Sequence, residues 1–69
     1  MPPVLRPEKI IKGLEENGFL YVSQKGSHKK FRNDGRTVIV PMHYEIARGT
    51  LRSILEQAGL TLEQLMRCI

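Results

Sequence analysis

The chain has 69 residues, 41% apolar and 26% charged, the balance of one globular domain spanning residues 1–69 with a thin core rather than of a disordered chain. No apolar run approaches the ~20 residues that cross a bilayer, and the first residues lack the basic start and apolar stretch of a signal peptide, which predicts a cytoplasmic protein with no membrane partner. Its one cysteine, Cys68, excludes an internal disulfide, and eleven Lys and Arg against seven Asp and Glu leave a net charge of +4.

Pro2 and Pro3 keep the start extended, and Pro7 suits the first position of a helix running to about Asn17. Ile10, Ile11 and Leu14 form its apolar stripe, Glu8 favours its N-terminus, and Asn17-Gly18 stops it. Gly13, unfavourable inside a helix by about 1 kcal/mol relative to alanine, is expected to mark close packing on a sheet.

Phe19 to Gln24 reads as a first strand, and Lys25-Gly26 turns the chain into a second from about Ser27. Asp34-Gly35 is the strongest hairpin signal, a two-residue loop of type I′ before a third strand from Thr37 to Val40. That loop sets the register: Asn33 opposes Arg36, Arg32 Thr37, Phe31 Val38, Lys30 Ile39 and Lys29 Val40. Phe31, Val38 and Val40 then share the core face, while His28, Lys30, Arg32 and Thr37 line the other. Lys29 falls on the core side and is tolerable there if its stem packs and its ammonium reaches the edge.

Pro41 ends the third strand, and residues 42–48 connect it to a helix with Thr50 as N-cap. Leu51, Ile54, Leu55 and Ala58 are its buried stripe, and Gly59 its stop, with Leu60 folding back onto the last turn. Thr61 and Gln64 have capping-box spacing for a short last helix with Leu62, Leu65, Met66 and Ile69 on its apolar side. The expected fold is α+β in the order α-β-β-β-α plus a terminal helical turn, a three-stranded antiparallel sheet with helices packed on one face.

The charge is concentrated. Between residues 25 and 36 stand Lys25, Lys29, Lys30, Arg32 and Arg36 against Asp34. Such a cluster suits a polyanionic partner, nucleic acid or an acidic protein, and equally suits a basic hairpin that resists edge-to-edge aggregation. Within it lies His28, the chain's best proton-transfer group, because an unperturbed imidazole both accepts and donates protons near neutrality. A histidine beside Lys or Arg that neutralise phosphate suits RNA cleavage, where the internal 2′-OH is the nucleophile and no protein nucleophile, metal or cofactor is required. A surface histidine in a basic strand is also often inert. His43 admits two readings, an acid to complement His28 as base or a loop residue capping the backbone. Two histidines and a terminal cysteine lack zinc-site spacing, and Ser27 beside His28 points to the other face without a nucleophile elbow. Tyr21 and Tyr44 have the chemistry to stack bases and equally that of core and rim packing.

Three blocks carry a resemblance across nearly the whole chain. They are Gly26-Ser27-His28 with Phe31-Arg32, Asp34-Gly35-Arg36 leading to Val40-Pro41 and His43, and the run from Gly49-Thr50-Leu51-Arg52 through Ile54-Leu55 to Gln57-Ala58-Gly59-Leu60. In these the chain resembles the HicA-type mRNA interferase toxins of prokaryotic toxin–antitoxin systems. The resemblance implies a double-stranded-RNA-binding-domain-like fold, metal-independent endoribonuclease activity on mRNA without a cofactor, and inhibition by a HicB-type antitoxin. The family's catalytic histidine falls on His28, and Ser27, Lys29, Lys30 and Arg32 become the candidate RNA contacts. Many members carry a second histidine where this chain has Lys29. The alternative is a non-catalytic RNA-binding module of the same fold, and a third reading is a protein-interaction module for an acidic antitoxin.

Overall fold

The computed structural model describes residues 5–67, so the expectations for Pro2, Pro3, Cys68 and Ile69 lie outside the described residues. Helix α1 spans Pro7–Glu16, strands β1, β2 and β3 span Leu20–Lys25, His28–Asn33 and Arg36–Pro41, and helices α2 and α3 span Arg48–Ala58 and Leu62–Met66. The strands form one antiparallel sheet in the order β1-β2-β3. This is the expected α-β-β-β-α layout with its short terminal helix and an open sheet face.

The pairing of β2 with β3 follows the expected register, from Asn33 opposite Arg36 to Lys29 opposite Val40, and extends one further pair to His28 opposite Pro41. Alternation accordingly buries Phe31, Val38 and Val40, which join Ile10, Leu14, Ile54 and Leu65 in one core. The loop departs from type I′, which needs both central residues left-handed, since Asp34 has positive φ (53°) and Gly35 does not. A two-residue loop nevertheless fixes the same register.

Strand β1 contains a feature with no counterpart in the expected alternation. Tyr21 opposes Phe31 but Ser23 opposes Lys30, so Val22 is an extra, unpaired residue of a β-bulge. The bulge inverts the facing of the later residues of the strand. Tyr21 stays on the helix side, its ring edge-on to Phe31 at 5.9 Å, while Ser23 and Lys25 are carried to the open face beside Lys30 and His28.

The helices cover the opposite face. α2 packs on β3, and α1 packs on both α3 and β3. Gly13 is a contact point with α3 rather than with the sheet: a Cβ there would overlap the Leu65 carbonyl oxygen and come within 2.8 Å of its Cδ1. The two helices approach this closely because Gly13 has no side chain, which outweighs its poor helix propensity. α2 begins at Arg48, and its N-cap, Ala47, is extended, makes no side-chain cap and lies three residues before the expected cap Thr50. Just upstream of that cap, Ile46 is buried and pairs with Leu5. Gly59, at φ 70°, ends α2, and the Leu60 N–H donates to the Leu55 carbonyl, the fold-back expected of a left-handed stop. The Thr61 and Gln64 capping box is present, each side chain accepting from the other's backbone N–H. On that last helix Leu65 is buried, and Leu62 is exposed.

The two sheet edges differ. On β3 the Ile39 N–H donates to the Gln57 side-chain carbonyl at 3.0 Å, so α2 covers part of that edge. β1 is the other edge, exposed along its whole length.

Candidate functional site

The open face of the sheet carries a depression of about 440 Å³ lined by Ser23, Lys25, His28, Lys30 and Ile39. Each lining residue is there for a backbone reason. His28 is the first residue of β2 because Gly26, at φ 58°, turns the chain at the end of β1. A Cβ on Gly26 would meet nothing within 4 Å, so the left-handed backbone rather than close packing calls for glycine. Lys30 lies two residues along the same face, Lys25 is the cross-strand partner of His28, and Ser23 is that of Lys30. Ile39, opposite Lys30, supplies an apolar wall from β3.

Two cationic side chains therefore converge on an exposed imidazole, against a surface that is otherwise hydroxyl and aliphatic. No carboxylate lines the depression. Such a site attracts a phosphate and offers a group able to exchange protons with whatever the phosphate is bonded to.

The expected site residues divide by face. His28, Lys30 and Arg32 share the open face, Arg32 further along the strand opposite Leu20 and Thr37. Ser27 is in the exposed turn beside His28, and its carbonyl accepts from the Met42 N–H at 2.6 Å. Lys29 is half-buried on the helix side, between Gln24 and Val40, and so stands apart from the depression. Lys25 and Ser23 line the site although regular alternation along β1 does not predict it, because their facing depends on the bulge at Val22.

His43 is the other residue the fold brings in. The Met42 bond to Ser27 adds one rung beyond the His28–Pro41 pair, and the next residue places its imidazole 6.3 Å from that of His28, centroid to centroid, with ring planes at 72°. Among the described residues no group of three or more His, Cys, Asp or Glu is arranged to hold a metal ion. No helix among them is long and apolar enough to cross a membrane.

A family model described as the HicA toxin of bacterial toxin–antitoxin systems matches residues 7–60. A comparison with curated proteins found no match. The matched span runs from the first residue of α1 past the end of α2 and includes all three strands, the depression and both histidines. With most of its length matched, the chain belongs to the HicA toxin family and is the toxin of a toxin–antitoxin system.

Proposed function

We propose that this toxin is an endoribonuclease that cleaves mRNA, with His28 transferring the proton at the scissile phosphodiester. The observation that carries the reading is the exposed His28 between Lys25 and Lys30 in an open-face depression free of carboxylates. A polyanion that settles there presents a phosphodiester to the imidazole, and the ammonium groups offset charge developing on the non-bridging oxygens. The RNA 2′-OH supplies the nucleophile, so the protein needs to provide only proton transfer, charge and orientation. The toxin–antitoxin family implies an antitoxin partner. We take it to be a HicB-type protein acting in the cytoplasm, where mRNA is found.

The reading is tested by incubating the protein with a long mRNA in EDTA. Cleavage into fragments is the expected outcome. A shift of intact RNA would leave a non-catalytic RNA-binding module, and neither cleavage nor salt-sensitive binding would leave a protein-interaction module.

Among the candidate contacts, Lys30 and Arg32 lie along the open face, Ser27 offers a hydroxyl from the neighbouring turn, and Lys29 faces the helices. Lys30→Ala is therefore expected to weaken RNA affinity and lower the salt slope by about one phosphate contact, with Lys29→Ala having the smaller effect. Filter binding across a salt series checks this. Equal losses from the two substitutions would mean that RNA is not held on the open face.

A further inference from the structure

We propose that His43 is a second catalytic residue, the general acid that protonates the leaving 5′-oxygen while His28 takes the proton from the attacking 2′-OH. The proposal rests on the ribonuclease reading of the depression and adds to it a residue from a different element.

The two histidines are distant in sequence, and the β2–β3 hairpin closes that gap. His28 opposes Pro41 at the end of the ladder, the Met42 N–H donates to the Ser27 carbonyl one rung further, and His43 is the next residue along. The segment beyond is held as well. Ile46 is buried and its N–H donates to the Leu5 carbonyl at 2.7 Å, while the Arg6 guanidinium donates to the Tyr44 hydroxyl at 2.9 Å and lies 4.7 Å from that ring's centroid. These contacts anchor the connection through its backbone and through Tyr44, leaving the His43 imidazole exposed beside that of His28.

At 6.3 Å between centroids and 72° between planes, two imidazoles can approach one phosphodiester from different directions. In the step, the 2′-oxygen forms a bond to phosphorus and the P–O5′ bond breaks. The 2′-OH proton passes to His28, and the proton on His43 passes to the departing O5′. The products are a 2′,3′-cyclic phosphate and a 5′-hydroxyl, and proton exchange with water restores both rings. No oxidant or reductant enters. An ammonium is a far weaker acid than an imidazolium, so Lys25 and Lys30 are poor substitutes for this donor. His28 lines the depression and the His43 ring lies beside it, so two imidazoles from different elements face a phosphodiester held there.

The test uses the wild type, His28→Ala, His43→Ala and His43→Gln on two RNAs that differ at one mapped cleavage site. One has the natural bridging 5′-oxygen and the other a bridging 5′-sulfur, whose thiolate leaves without protonation. Both His43 variants are expected to cut the oxygen substrate about 10²–10⁴-fold more slowly and to recover nearly wild-type rates on the sulfur substrate. His28→Ala should be slow on both. If the His43 variants cut the oxygen substrate at the wild-type rate while His28→Ala does not, His43 is a bystander. If they are slow on both substrates with unchanged circular dichroism, His43 is not the leaving-group acid. Failure of the ribonuclease reading looks different: the wild type leaves both RNAs whole, or His28→Ala cuts as the wild type does.

Discussion

His28→Ala is expected to slow RNA cleavage by about 10²–10⁴-fold, the usual size of a general acid–base contribution, and to abolish growth inhibition while leaving the fold intact. The separation of the two effects follows from where the residue sits. His28 is exposed at the first position of β2, on the face away from the helices, so truncation removes no core contact and opens no cavity. The side chains lining the depression with it, Ser23, Lys25, Lys30 and Ile39, carry no imidazole or carboxylate to take over proton abstraction, and the adjacent His43 is assigned to the leaving oxygen instead. Cleavage rates on a defined RNA, read beside circular dichroism and salt-dependent binding, make the comparison. An oligonucleotide with 2′-deoxy at the cleavage site should resist the wild type, and fragments from the unmodified RNA should end in 2′,3′-cyclic phosphate or its opened form. A folded His28→Ala protein that cuts at the wild-type rate would remove His28 from the mechanism. Cutting of the 2′-deoxy substrate would replace internal attack by activated water.

The parts of the fold that are legible in the sequence are those governed by short-range rules. Asp34-Gly35 marks a two-residue loop, and once that loop is placed every β2–β3 pair is set, including the burial of Phe31, Val38 and Val40. The Thr61–Gln64 cap and the Gly59 stop are local in the same sense. Features set by contacts between distant segments are not legible. Ile46 has no periodic partner in its connection, and its burial depends on a bridge to Leu5. The helix that follows is capped at Ala47 rather than at Thr50. Gly13 signals a close approach, but only the tertiary arrangement shows that the neighbour is Leu65 of α3.

The candidate site divides along the same line. His28, Lys30 and Arg32 share a face by simple alternation, and the basic cluster makes that face conspicuous. Lys25 and Ser23 join them only because the extra residue Val22 shifts the phase of β1, and nothing in the composition of that strand announces a bulge. Lys29 belongs to the basic run in sequence and to the opposite side of the sheet in space. The proximity of His43 depends on the path of the connection after Pro41, which neither strand alternation nor helical periodicity describes.

Phe31→Ala is expected to cost about 3–5 kcal/mol of stability and to inactivate the protein with His28 still in place. Phe31 is 1% exposed, lies opposite both Tyr21 and Val38, and holds the centre of the strand whose other face carries His28, Lys30 and Arg32. Scale decides the outcome. A chain of 69 residues has a total stability of roughly 3–10 kcal/mol by the usual per-residue range, so the loss is comparable to the whole. A small core also has few other large side chains to share the cavity, and Phe19 is the one other phenylalanine in it. Phe31→Leu, which retains most of the apolar volume, should lose markedly less and keep measurable cleavage. Urea midpoints and melting temperatures for both variants provide the check, set beside His28→Ala as the folded but inactive control. If Phe31→Ala unfolded at the wild-type midpoint, β2 would not pack through that face, and the alternation that presents His28 to the open side would be wrong with it.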